Sequence, residues 1–224
     1  MFTGKENVIL PVEYWQNEFK TGWKNGQYPD AHLLKFLEEH CPEIGPKVLD
    51  VGSGDGRHLV PMAQLGFNMT GLELIQTGID TTRKKLTNFG LSATLVQGDF
   101  HELPFKEESF DTVISVQVLH YNNWLGCQKA FQEISRVLKP SGFFFFRARS
   151  EKGHWRPTDC QIEDYEGITR IEARGIDKFI VMVHDYTFKE LKSLASLYGF
   201  TIESSIDEDC NGTPGQWNVV FRKL

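Results

Sequence analysis

Between residues 47 and 149, short apolar runs alternate with stretches in which apolar residues return every third or fourth position. The runs at 47–51, 68–74, 93–98, 112–117 and 142–149 are rich in Val, Leu, Ile and Phe and short enough to be buried strands. The segments 57–65, 78–89 and 125–138 between them carry the helical period. Gly66, Gly90 and Lys139-Pro140-Ser141-Gly142 stand where each helix should stop. Pro61 is awkward, because a proline inside a helix removes a backbone hydrogen bond and should kink the first helix or delay its start. Strands that alternate with helices predict an α/β fold with a doubly wound parallel sheet. Phe143 to Phe146 have no polar neighbour between them, as befits a strand buried on both faces.

Beyond residue 149 the alternation breaks down. Residues 150–167 are polar and aromatic without a clear period, and 168–174 and 178–185 flank Gly175-Ile176-Asp177 like the arms of a hairpin. A helix over 187–198 follows, with Thr187 as N-cap, Glu190 completing a capping box and Gly199 as its stop. Strand-like 201–205 and 217–222 enclose the loop 207–215 and predict an antiparallel edge on the parallel sheet. The expectation is one domain over 1–224: a helical cap at 1–46, a ligand-binding core at 47–149, an insertion at 150–186, and a final helix with edge strands at 187–224.

Composition narrows the partners. A formal net charge of −6 gives no overall attraction to phosphate backbones or anionic membranes, which makes a nucleic-acid partner unlikely. Cys41, Cys127, Cys160 and Cys210 are widely spaced without a Cys-x-x-Cys pair, so neither a metal cluster nor a disulfide framework is expected. The first residues lack a basic and then apolar leader, and no apolar run approaches the length of a membrane span, which together predict a cytoplasmic protein.

The candidate chemistry starts at residues 48–56, Val-Leu-Asp-Val-Gly-Ser-Gly-Asp-Gly, where a strand ends in an acid and three glycines at alternate positions. Such a turn lets backbone approach a ligand at the carboxyl end of the strand. A dinucleotide fingerprint would want its third glycine where Arg57 stands. The next strand ends at Glu73, suited to a ribose diol, and the third runs into Gly98-Asp99-Phe100, where a carboxylate suits an adenine amino group beneath an aromatic cover.

These segments resemble the class I S-adenosylmethionine-dependent methyltransferases, in particular the broad type 11-like group. The resemblance rests on the glycine turn, Gly71-Leu72-Glu73, Gly-Asp-Phe-His-Glu-Leu-Pro-Phe over 98–105, Phe-Asp-Thr-Val-Ile-Ser over 110–115, and Leu138-Lys139-Pro140-Ser141-Gly142, in that order. It implies a Rossmann-like, mostly parallel seven-stranded sheet with an antiparallel C-terminal edge. It also implies S-adenosylmethionine as cofactor. Asp50, Gly52, Ser53 and Gly54 would hold its methionine end, Glu73 and Leu74 the ribose, Asp99 and Phe100 the adenine, and Gln117 the position after strand four.

Methyl transfer asks little of side chains, since a sulfonium is already an activated leaving group; a base is needed only when the acceptor arrives protonated. His120, after the fourth strand, is the candidate base, with structural packing as its alternative role. Acceptor contacts are expected from Tyr14, Trp15 and Tyr28 of an aromatic N-terminal lid, from Tyr121, and from Arg147 and Trp155 of a basic and aromatic cluster able to take an anionic acceptor. The function that follows is methylation of a small molecule with release of S-adenosylhomocysteine. Alternatives are a tRNA modified-base methyltransferase, a non-catalytic S-adenosylmethionine sensor or scaffold and, more remotely, a nicotinamide dehydrogenase, which Arg57 opposes.

Overall fold

The structure is a computed structural model that describes residues 28–153, 161–164, 168–174, 179–208 and 211–224. In chain order the elements are α1 (Ala31–His40), β1 (Lys47–Val51), α2 (Leu59–Gln64), β2 (Asn68–Glu73), α3 (Gln76–Asn88) and β3 (Thr94–Gln97). Then come β4 (Phe110–Val116), α4 (Trp124–Val137), β5 (Leu138–Arg149), β6 (Gln161–Asp164), β7 (Ile168–Arg174) and β8 (Phe179–Asp185). The chain closes with α5 (Phe188–Leu197), β9 (Phe200–Asp207) and β10 (Gln216–Lys223).

Seven strands form one sheet in the order β3-β2-β1-β4-β5-β10-β9. The first five are parallel, and β10 is antiparallel to both β5 and β9, which gives the expected antiparallel edge. The strands β6, β7 and β8 pair antiparallel in a separate small sheet, whose β7–β8 pair is the hairpin read from the sequence.

Successive side chains of a strand point to opposite faces, and β5 shows both faces covered. Phe144, Phe146 and Ala148 pack with residues of α4 and α5 in one core, while Phe143 and Phe145 pack with residues of α1 and α2 in the other. The first core is held by aromatic contacts such as Phe131 edge-on to Phe144, with ring centroids 5.4 Å apart.

Among the boundaries that differ from the sequence reading, two have a clear local reason. Helix α2 begins at Leu59, two residues later than expected, so Pro61 falls in its first turn, where a missing N–H breaks no intrahelical bond. Helix α4 ends just before Lys139 to Gly142, as expected, but that stretch already lies inside β5, which starts at Leu138 and not at Gly142 and follows α4 without a gap. The pairing with β4 shifts register there, with Ser141 at φ 60°, and a Cβ on Gly142 would stand 2.7 Å from the Asp111 carbonyl oxygen. The capping box forms as read: Thr187 Oγ1 accepts from the Glu190 N–H at 3.1 Å, and Glu190 Oε2 from the Thr187 N–H at 2.8 Å.

No helix of the described residues is long and apolar enough to cross a membrane.

Candidate active site

The carboxyl ends of β1, β2 and β4 meet at the glycine turn. Gly52, Gly54 and Gly56 have φ of 75°, 56° and 82°, a left-handed backbone that a Cβ disfavours. The N–H groups of Gly52 and Ser53 both donate to the Leu72 carbonyl, at 2.8 and 3.0 Å, which ties the turn to β2. Close packing adds a second constraint: a Cβ on Gly52 would lie 2.4 Å from Val118, and one on Gly71 would lie 2.5 Å from Leu59. Helix α3 braces the turn from outside through Thr82 Oγ1 donating to the Gly54 carbonyl and the Lys85–Asp55 ion pair.

Two buried carboxyl groups stand on this turn. Glu73 Oε2 accepts from the Gly54 N–H and Oε1 from the Ile75 N–H, each at 2.9 Å. Burial raises its pKa, and those backbone bonds oppose the rise. Asp50 is 1% exposed, and among the described residues its Oδ2 is buried with no hydrogen-bond partner. Burial, reinforced by the charge of Glu73 and opposed by that of Arg57, pushes Asp50 up to about 7. A buried acceptor without a donor is costly unless a ligand supplies one. The ammonium of a methionine chain is such a donor, so the site fits the amino-acid end of S-adenosylmethionine on this ground.

On the β3 side, Asp99 Oδ1 accepts from the His101 N–H at 2.9 Å and meets His101 Nδ1 at 2.6 Å. That hydrogen bond holds the Asp99 carboxyl below its ordinary value and the His101 imidazole above its own. His101 Nε2 meets Asn122 Nδ2 at 2.7 Å, and Phe100 lies against the His101 ring and the core beneath. Leu74 is half-buried, and its carbonyl accepts from Gln97. Gln117 ends β4 with φ 63°, an uncommon conformation for a residue with a Cβ. It is fixed by its N–H on the Arg147 carbonyl and by Nε2 on Gln216 Oε1.

His120 is 1% exposed, its ring 4.3 Å from that of half-buried Tyr121. Its carbonyl accepts from the His184 N–H at 2.7 Å, and the Leu119 carbonyl accepts from the Tyr186 hydroxyl at 3.1 Å. The segment after β4 is therefore gripped from the end of β8.

The acceptor-side expectations fare differently. Arg147 does not stand in an open anion-binding cluster: it is 3% exposed, paired with Asp30 at 3.0 Å and bonded to Gln216 and Asn218. The alternation of β5 turns it into the interior, where only a paired charge is tolerated. Tyr28 projects at the surface, 78% exposed. Tyr14, Trp15 and Trp155 lie outside the described residues. Sequence reasoning missed Asp30, His58 and His101; Arg57, noted only as the residue in place of a glycine, is half-buried and donates from Nε to His58 Nε2. The basic pair Arg57-His58 directly after the third glycine was the signal available for those two.

A methyltransferase domain family matches residues 49–146. The uncharacterised methyltransferase YodH of Bacillus subtilis is 27% identical over 168 residues, covering 75% of this chain and 70% of that protein. The fatty-acid O-methyltransferase of Mycolicibacterium smegmatis is 34% identical over 143 residues, covering 60% of this chain and 51% of that protein. Among solved structures, the 1,6-didemethyltoxoflavin-N1-methyltransferase of Burkholderia thailandensis, which holds 1,6-didemethyltoxoflavin and S-adenosylhomocysteine, superposes with a TM-score of 0.70 at 19% identity. That superposition covers 99% of this chain and 93% of the other. Glycine turn, strand order, domain match and relatives agree: residues 49–146 match a methyltransferase domain, and the fold is that of S-adenosylmethionine-dependent methyltransferase structures.

Proposed function

We propose that the enzyme moves the methyl group of S-adenosylmethionine to a nucleophilic atom of a small-molecule acceptor and releases S-adenosylhomocysteine. The observation that carries the cofactor half is the buried, unpartnered Asp50 Oδ2 on a turn whose other carboxyl group, Glu73, is already seated. The acceptor half is supported by relatives named for small molecules, such as a fatty acid, and by the acidic balance of the chain.

In this reading Asp50 accepts from the α-ammonium, and the backbone of Gly52 to Gly54 closes on the methionine chain. Each oxygen of Glu73 bonds one backbone N–H and keeps a second lone pair for a ribose hydroxyl. Asp99 faces the adenine amino group, with Phe100 against the ring. When bound, S-adenosylmethionine supplies a methyl on a sulfonium, an activated leaving group. The protein then has to hold the acceptor in line and exclude water. Where the acceptor brings a proton, His120 is the proposed base, taking it at a ring nitrogen.

The test is incubation with methyl-labelled S-adenosylmethionine and a cell extract split into small-molecule, RNA and protein fractions. Label in the small-molecule fraction is expected; label in RNA would replace this reading with a tRNA-directed one, and cofactor binding without transfer to any fraction would favour a sensor. Glu73→Ala should weaken S-adenosylhomocysteine binding by about 2–3 kcal/mol, as for loss of hydrogen bonds to a charged group. Undiminished affinity in a folded variant would remove Glu73 from the site.

A further inference from the structure

Asp99 and Asn122 belong to different loops, one after β3 and one after β4, and His101 is bonded to both. Its Nδ1 meets Asp99 Oδ1 at 2.6 Å, and its Nε2 meets Asn122 Nδ2 at 2.7 Å. A second bond sets the orientation of the Asn122 amide, whose Oδ1 accepts from the Asn123 N–H at 3.0 Å. That amide also lies over the first turn of α4, where a Cβ on Gly126 would collide with it. Asn123 then caps α4, its Oδ1 accepting from the Gly126 N–H at 2.9 Å. His101 thus reaches the end of the segment that carries His120 and the start of the helix that follows.

A fixed amide decides the state of the imidazole. With Asn122 Nδ2 donating, His101 Nε2 has to accept, so the ring proton sits on Nδ1 and is donated to Asp99. A second proton would set donor against donor at Asn122 and break the tie. The bond to Asp99 raises the affinity of the ring for that second proton, so the tie belongs to the alkaline side of the imidazole titration. The other charges near the ring are mixed in sign: Glu102, Lys129, Glu133 and Arg136 line the groove that His101 borders, and Glu133 is paired with Arg136.

The side chain of Asp99 is 51% exposed and that of His101 36%, so in the free protein water competes for their bond. A ring seated over Asp99 would expel that water and strengthen the bond. The ring of His101 would then be held more firmly, and Asn122 with it.

Resting on the cofactor reading above, we propose that His101 is the positioning residue that carries occupancy of the adenine end to the acceptor side, by tying Asp99 to Asn122 and so ordering the segment after β4. By linkage the ordered segment tightens the cofactor in return. The acceptor side is thereby completed only once the methyl donor is in place.

Hydrogen exchange followed by mass spectrometry tests this without an acceptor. It compares the native protein with and without saturating S-adenosylhomocysteine at pH 8, which favours the neutral imidazole. The ligand should slow exchange at residues 119–123 by about 5-fold or more, as well as at the glycine turn. His101→Phe keeps a ring against Phe100 but loses both bonds; it should abolish the slowing at 119–123 and keep that at Gly52 to Gly56. Asn122→Ala should reproduce the loss, and the double variant should lose no more, as for two partners in one bond. A residue that only stabilised the fold would alter exchange in the free protein and leave the ligand-induced change in place. Unchanged slowing at 119–123 in folded His101→Phe would overturn the coupling. So would slowing in the native protein that stops at the glycine turn. Absence of S-adenosylhomocysteine binding by the native protein would instead strike at the cofactor reading itself, and the coupling with it.

Discussion

A carboxylic acid held near neutrality changes its protonation when a cation is set beside it. Asp50 has its folded pKa raised to about 7, mainly by burial, from an ordinary value of 3.8. Its contribution to the stability of the free protein is full below about pH 3.8 and is lost as pH rises through about 7, because the folded state there binds the proton more tightly than the unfolded chain. An ammonium at Oδ2 reverses the preference in favour of the ionised form. S-adenosylhomocysteine binding at pH 6 should therefore release up to about one proton, read as a dependence of the calorimetric heat on the ionisation enthalpy of the buffer. Asp50→Asn should abolish that dependence. Asp50 and Glu73 were legible in the sequence because strand, glycine turn and strand end fix their positions in order. The unsatisfied state of Asp50 Oδ2 was not, since it depends on what fails to reach that atom from the rest of the chain. His101 was hidden for a related reason: its bridge from Asp99 to Asn122 crosses between two loops.

At the scale of elements, the glycine turn is held between β2 and α2 with no room for an added methyl. A Cβ on Gly71 would lie 2.5 Å from Leu59 Cδ1 and 2.8 Å from Ser53 Oγ, so Gly71→Ala has to push the turn off the sheet. We expect a loss of about 1–3 kcal/mol in urea unfolding, as for other overpacked sites. S-adenosylhomocysteine affinity should fall as well, since Ser53 lies between two of the glycines that shape the site. The strands of the main sheet were legible to within a few residues because burial on one or two faces leaves a short apolar run. The ends of β4 and β5 were less so. The pairing of Phe110 with Leu138 extends both strands through a stretch whose proline and glycine read locally as a stop.

At the scale of the whole molecule, the buried pair of Asp30 and Arg147 joins elements remote in sequence. Asp30 caps α1 through the His32 N–H and also receives Arg147 of β5, which in turn bonds Gln216 and Asn218 of β10. Removing the carboxylate takes a charged partner from a buried guanidinium as well as the cap from α1, so Asp30→Ala should cost about 3–5 kcal/mol in equilibrium unfolding, more than a helix cap alone contributes. No sequence pattern announces such a tie: Asp30 reads only as a helix start, and Arg147 reads as a basic residue near a loop until the alternation of β5 assigns its face.

The hold on the segment after β4 has a consequence of a different kind. His184 and Tyr186 grip the carbonyl oxygens of Leu119 and His120, groups that every amino acid possesses. The location of position 120 is thereby uncoupled from the identity of its side chain. A change of side chain there leaves both of these bonds available, so the main chain has a hold of its own whatever residue the position carries.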